Sequence, residues 1–246
     1  MRILVAGANG ATGKQLVKQL LSTGQEVIVI VRSADGLTGL WESDRNLTVV
    51  QASLLHMDQE RLAEYVRGCQ GIVSCLGHHP TLKGIFGEPR KLVTEAVTML
   101  CCAIRANAPD RPVKFVLMNT TGNRNRDLNE PASFGQRLVV GALRLLLPPH
   151  LDNEEAADYL RTHVGQHDQY IEWVAVRPDS LIDRDEVTEY EVFPSPIRSP
   201  VFDAGSTSRV NVGHFMASLL TEDEAWQRWK GKMPVIYNKE PAPREK

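Results

Sequence analysis

The clearest chemical signature lies near the start of the chain, where Gly7-Ala-Asn-Gly10-Ala-Thr-Gly13 follows the apolar run Ile3-Leu-Val-Ala6. Between a strand and a helix, each glycine has its own use. The first permits a sharp turn, the second lets backbone approach a pyrophosphate, and the third lets the helix pack closely on the strand. The N–H groups that open the helix then face the phosphates. Dinucleotide binding is the chemistry expected of Gly7, Gly10, Thr12 and Gly13, with Asn9 and Ala11 in the same turn. The spacing is Gly-x-x-Gly-x-x-Gly, one residue longer than Gly-x-Gly-x-x-Gly. A second position bears on which dinucleotide. In such turns an acid at the end of strand two bonds the ribose 2′-hydroxyl, whereas an arginine accommodates a 2′-phosphate. Here that strand ends Val31-Arg32-Ser33, with no acid before Asp35. A guanidinium holds phosphate through two parallel hydrogen bonds, so NADP(H) is expected over NAD(H).

Other reactive side chains carry weaker patterns. The seven histidines (56, 78, 79, 150, 163, 167 and 214) show no His-Glu-x-x-His spacing, so no catalytic metal is expected. Cys69, Cys75, Cys101 and Cys102 have no metal-ligand spacing, and reduced thiols in a cytoplasmic protein are expected. His78, His79 and His150 are candidate proton donors, because an imidazole titrates near neutrality.

The elements that must position these residues alternate between short apolar runs and helical stretches. Strands are expected at Ile3–Ala6, Glu26–Val31, Asn46–Gln51, Gly71–Leu76, Lys114–Met118 and Ile171–Val176. Helices are expected at Thr12–Thr23, Met57–Arg67, Lys91–Ala106 and Asp152–Val164, where Asp152 and Asn153 suit an N-cap. The run Leu138–Leu147 reads as a packed helix, with a dimer face or pocket wall as alternatives. A last helix is expected near Val212–Leu220 and a strand at Pro234–Tyr237, with Trp226 and Trp229 docking a short helix between them. This order predicts an α/β fold with a doubly wound parallel sheet, whose ligands bind beyond the carboxyl ends of the strands.

Composition excludes several classes. With 246 residues, 28 Lys plus Arg, 30 Asp plus Glu and a net charge of −2, nothing favours nucleic acid or a polybasic membrane surface. An apolar share of 42% and a charged share of 24% suit a folded globular chain. The N-terminal apolar run is too short for a signal peptide, and Leu138–Leu147 too short for the ~20 residues that span a bilayer. A single domain over residues 1–238 is expected, with 179–238 as a small C-terminal substrate-side segment and 239–246 as a polar tail.

Taken together, these segments resemble the short-chain dehydrogenase/reductase superfamily, in its atypical NAD(P)-binding, NmrA-like and biliverdin/flavin-reductase-like branch. The resemblance covers about residues 1–220. It is carried by Gly7–Gly13, Cys75-Leu-Gly77, Asn119-Thr120-Thr121, Leu145-Leu-Leu-Pro-Pro-His-Leu-Asp152, Asp158-Tyr-Leu-Arg161 and Ile171–Pro178. It implies a Rossmann-like fold in which Thr12 and Gly13 give backbone N–H groups to the pyrophosphate and Arg32 holds the 2′-phosphate. Ser53 and Leu54 stand where relatives often place Asp plus an apolar residue at the adenine. Leu76 and Gly77 would line the ribose and nicotinamide path, with Asn119 and the backbone of Pro178 on the cofactor side. Thr120 aligns with the Ser or Thr that polarises a substrate carbonyl, and Arg209 and Asn211 lie where relatives form the substrate side.

The superfamily's Tyr-x-x-x-Lys pair is missing. Four residues after Tyr65, Tyr159, Tyr170, Tyr190 and Tyr237 stand Cys69, His163, Val174, Pro194 and Pro241, and no lysine lies between Lys114 and Lys230. The tyrosine position aligns with Pro149 and the lysine position with Asn153, so epimerase or dehydratase chemistry in its standard form is not expected. Two functions remain open. One is an NADPH-dependent reductase of a small organic acceptor, with Thr120 and His78 as catalytic residues. The other is a non-catalytic NADP(H)-binding redox sensor. A small-molecule substrate and a monomer or homodimer are expected in either case, with no nucleic-acid or membrane partner.

Overall fold

Strand β1 (Arg2–Ala6) is apolar on both faces because both are covered: Ile3 and Val5 meet one helical layer, Leu4 and Ala6 the other. The computed structural model describes residues 1–34, 44–79, 81–128, 130 and 133–239; Asp35 and the tail from 240 onward lie outside the described residues. The remaining strands are β2 (Glu26–Val31), β3 (Leu47–Gln51), β4 (Gly71–Ser74), β5 (Val113–Met118), β6 (Ile171–Pro178), β7 (Ser180–Ile182), β8 (Tyr190–Phe193), β9 (Ser206–Ser208) and β10 (Val235–Asn238). Eight of them form one sheet in the order β3-β2-β1-β4-β5-β6-β10-β8, parallel except for β8, which runs antiparallel to β10. The strand order reverses between β1 and β4, which makes this a doubly wound, Rossmann-like α/β fold. β7 and β9 pair separately, in parallel.

The helices are α1 (Ala11–Ser22), α2 (Gln59–Val66), α3 (Leu82–Phe86), α4 (Leu92–Asn107), α5 (Phe134–Leu146), α6 (Pro148–Tyr159), α7 (Arg209–Thr221) and α8 (Asp223–Trp229). α1, α7 and α8 cover one face of the sheet, with Leu16, Leu20, Phe215 and Trp226 buried against Ile3, Val5 and Val116. α2, α4 and α6 cover the other, with Leu62, Val97, Leu100 and Ala156 against Leu4, Ile72 and Phe115. Trp226 and Trp229 are buried as docking residues, and Trp226 Nε1 donates to Glu172 at 2.6 Å. After Pro178 the chain supplies β8 and β10 to the main sheet and α7 and α8 to one of its faces.

The expected strands are all present, with ends that differ by local geometry. β4 stops at Ser74 rather than Leu76, and β6 runs on through Arg177-Pro178 because β10 pairs with those two residues. Three expectations are corrected. α6 begins at Pro148, since a proline fits the first helical turn, so Asp152 and Asn153 lie inside that helix and cap nothing in it. Leu138–Leu146 belongs to α5, capped by Ser133 accepting from Gln136 N at 3.1 Å; Val140 is buried, but the other described side chains of the run are partly or fully exposed and none joins either core cluster. Phe134, Leu138 and Leu146 share an i, i+4 stripe that faces outward. Arg209 and Asn211 form the first turn of α7 instead of preceding it, because Ser208 supplies the cap, accepting from Asn211 N at 3.3 Å.

Candidate functional site

The carboxyl ends of β1, β2 and β4 open onto one groove of about 950 Å³, and the glycine turn forms its wall. Gly7 has φ +85°, in the left-handed region, and an added Cβ would lie 2.6 Å from Cys75 C and 2.8 Å from Leu76 N. A Cβ on Gly13 would lie 2.2 Å from Gly7 O, so the start of α1 can sit this close to β1 only with glycine there. Gly10 N donates to Gly7 O at 3.0 Å, and Lys14 N makes the first helical bond, to Gly10 O at 2.9 Å. The N–H groups of Ala11, Thr12 and Gly13 therefore precede the helical ladder, where a helix accepts an anion. Asn9 Nδ2 donates to Ser33 O and braces the turn against the end of β2, while its Oδ1 is buried without a partner. These glycine contacts and helix-opening donors fit a dinucleotide phosphate.

Of the sequence-predicted cofactor residues, Gly7, Asn9, Gly10, Ala11, Arg32, Ser53, Leu54, Leu76 and Gly77 line this groove. Thr12 and Gly13 line a smaller adjoining cavity of about 260 Å³, which Gly77, His78, Met118 and Arg209 also border. Arg32 is exposed at the groove's β2 end. Leu54 sits in a short helical turn, Leu54–His56, buried in the core at the border of the groove. His56, His79 and the Glu88-Pro89 pair also line the groove. No spacing in the sequence pointed to His56 or Glu88-Pro89, because loop positions carry no periodic signal. Burial pushes the Cys75 thiol up to about 12, so this groove residue stays protonated near neutral pH.

Asn119, Thr120 and Pro178 belong to a second cluster, where β5 and β6 end. Thr121 N donates to Pro178 O at 3.1 Å, and Thr120 N to Asn119 Oδ1 at 2.8 Å. Asn119 Nδ2 donates to Asn153 O at 2.9 Å, which seats α6 beside the Thr120 turn. Asn153 Nδ2 in turn donates to Pro149 O at 2.9 Å. Asn153 is thus joined to the Thr120 turn through Asn119, and Pro149 lies one helical turn before it in α6.

The candidate histidines differ sharply. The His78 side chain is buried and both ring nitrogens are engaged: Nε2 with Asp152 Oδ2 at 2.8 Å and Nδ1 with Gly84 O at 3.1 Å. Asp152 also accepts from Val93 N at 2.8 Å and Thr94 N at 2.9 Å, capping α4 from α6. His150 lies beside Gly122: a Cβ there would lie 3.3 Å from His150 Cε1, 3.7 Å from its Nδ1 and 3.7 Å from Thr120 Oγ1. Behind it, His150 Nε2 lies 3.4 Å from Glu154 Oε1, and Arg144 holds Glu154 with two bonds of 2.7 and 2.9 Å. Burial works to raise the Glu154 pKa, but His150 and Arg144 prevail and hold it below the usual carboxylate range.

The arrangement rests on a buried ion pair. Arg177, fully buried, bonds Glu130 Oε1 at 2.7 Å and Oε2 at 3.1 Å, and donates to Asn123 O at 2.9 Å and Met233 O at 2.7 Å. It fastens the loop after Thr120 to the centre of the sheet. Among the described residues no cluster of His, Cys, Asp or Glu could hold a metal, and no helix is long and apolar enough to cross a membrane.

Residues 7–223 match the model of a protein family described as NAD(P)H-binding. An uncharacterised chloroplastic protein of Arabidopsis thaliana is 34% identical over 120 residues, which is 48% of this chain and 41% of that protein, so the match spans under half the relative's length. Among solved structures, an oxidoreductase from Lactococcus lactis superposes with a TM-score of 0.69 at 17% identity, covering 98% of this chain and 93% of the other. An anaerobillin reductase from Escherichia coli gives 0.66 at 16% identity, covering 99% and 100%. A wide-type short-chain dehydrogenase/reductase from Veillonella parvula in complex with NADP gives 0.67 at 15% identity, covering 99% and 96%. At these identities the likeness is one of fold.

Proposed function

Because this chain belongs to the NAD(P)H-binding family, we propose that it is an NADPH-dependent reductase of a small, planar or carbonyl-bearing organic acceptor, working without a Tyr-x-x-x-Lys pair. The observation that carries this reading is the groove that begins at Arg32, passes the glycine turn, and reaches Gly77, with Met118 bordering the adjoining cavity at the foot of the Thr120 turn. Ala11, Thr12 and Gly13 present N–H groups to the pyrophosphate, Arg32 takes the 2′-phosphate, and Ser53 and Leu54 border the adenine. Leu76, Gly77, Asn119 and Pro178 frame the ribose and nicotinamide. The NADP-bound Veillonella neighbour and the reductase neighbour support this assignment by fold.

The bound dinucleotide supplies a hydride. Thr120 Oγ1 donates a hydrogen bond to the acceptor's oxygen and polarises its double bond. With a dinucleotide and an acceptor in place, His150, beside Thr120, would supply the proton to the acceptor's oxygen, and a proton from solvent would replace it. Glu154 orients the imidazole from behind, 3.4 Å from Nε2. His78, with both nitrogens engaged, holds the β4–α3 loop against α6 as a positioning residue. The reading includes a cytoplasmic setting, with which the four free cysteines agree. It also includes a monomer or homodimer, the outward stripe of α5 being available to a second copy.

The test follows NADPH oxidation against flavins, quinones, tetrapyrroles and aldehydes, with NADPH affinity measured in parallel. Turnover is expected with at least one class, and Thr120→Val should lower kcat/KM for it about tenfold or more while NADPH affinity holds. The replacement of the Tyr and Lys positions by Pro149 and Asn153 favours the second reading, a non-catalytic NADP(H) sensor. Tight binding with no turnover across the panel selects that one.

A further inference from the structure

Two helices start at the same edge of the sheet. Where α7 crosses α1, a Cβ on Gly213 would lie 2.8 Å from Leu16 N and 3.0 Å from Gln15 C, so only a glycine permits this approach. One turn earlier, Arg209 opens α7 and reaches the small cavity that Gly10, Thr12 and Gly13 also line. A pyrophosphate carries two negative charges, and the helix-opening N–H groups of α1 offer only partial positive charge against them. Among the described residues lining the groove and its adjoining cavity, the arginines are Arg32 and Arg209, and there is no lysine. Arg32 stands at the groove's far end, by β2. Arg209 is the cation at the glycine turn.

Its present partner leaves it available. Arg209 Nη1 bonds Asp183 Oδ1 at 2.8 Å, but the Asp183 side chain is 86% exposed, and pairs with so solvated a partner are weak. Among the described residues the remaining guanidinium donors have no partner, and the side chain itself is 26% exposed.

We propose that Arg209 is a cofactor-binding residue, pairing its guanidinium with the pyrophosphate of the bound dinucleotide in place of Asp183. The proposal rests on the reading that the glycine turn holds that pyrophosphate. It moves Arg209 from the substrate side, where the family resemblance put it, to the cofactor.

The experiment compares binding of three probes to the full chain: NADPH, 2′-phospho-ADP-ribose, which keeps the pyrophosphate, and adenosine 2′-monophosphate, which lacks it. Arg209→Gln should weaken the first two about tenfold or more and leave the third within twofold. Asp183→Asn should keep all three within twofold, because Arg209 acts without it. Arg209→Lys, which keeps the charge and the fold of the turn, should fall between wild type and Arg209→Gln. Unchanged NADPH binding in Arg209→Gln overturns the proposal, as does an equal loss in Asp183→Asn, which would mark the ion pair as a strut for α7. A folded wild-type chain that binds none of the probes overturns this proposal and the cofactor reading together; the variant results overturn this one alone.

Discussion

Arg32 stands at the end of β2 and, among the described residues, is the arginine lining the main groove, which the proposed reading assigns to the 2′-phosphate. Charge-assisted bonds to a phosphate contribute about 1.5–3 kcal/mol, or roughly tenfold to a hundredfold in affinity. Arg32→Ala should therefore weaken NADPH by about tenfold or more and leave NADH unchanged. An unaltered NADPH-to-NADH affinity ratio, read by fluorescence titration of both, would remove the 2′-phosphate assignment. The same scale separates the histidines. His78 was a candidate donor because an imidazole after β4 has a suitable pKa range, but engagement of both its nitrogens leaves no free edge for an acceptor. His150 lies beside Gly122 and Thr120 with a carboxylate behind it. Residue type was readable in the sequence for both; which nitrogen meets what was not.

Among the elements, α4 and α6 are joined by a cap that crosses between them. Asp152, from inside α6, accepts from the first N–H groups of α4, and Thr94 Oγ1 donates back to Asp152 O at 2.9 Å. Sequence reasoning identified an acid suited to capping and assigned it to its own helix, since a cap is normally local. Pro148 started that helix a turn earlier and freed the carboxylate to serve a neighbour. Asp152→Ala removes this cap, about 0.5–2 kcal/mol, and strips His78 of a buried partner, about 1–3 kcal/mol. A combined loss of about 1.5–5 kcal/mol is expected in urea unfolding at neutral pH. A change below 0.5 kcal/mol would show that the α4–α6 contact is held by apolar packing alone.

At the scale of the whole molecule, Arg177 joins β6, β10 and the loop that follows Thr120, through Glu130. Removing one member of a fully buried pair leaves the other charge uncompensated, at a cost of about 3–5 kcal/mol. Glu130→Gln should lose about that much stability and loosen the Thr120 loop, which hydrogen exchange would locate. If exchange there is unchanged, the loop is held by other contacts. Strands β1–β6 and β10, the glycine turn and its opening helix were legible in the amino-acid order, because burial in the sheet and the left-handed backbone at Gly7 are demands that neighbouring residues state locally; the short β7, β8 and β9 were not. The same holds for the missing Tyr–Lys pair, which is a matter of spacing. Tertiary structure alone decided which distant side chains meet: Arg209 at the glycine turn, Asp152 on α4, and His150 beside Thr120. Those meetings depend on the strand order and on two helices approaching at Gly213, and neither leaves a period in the sequence.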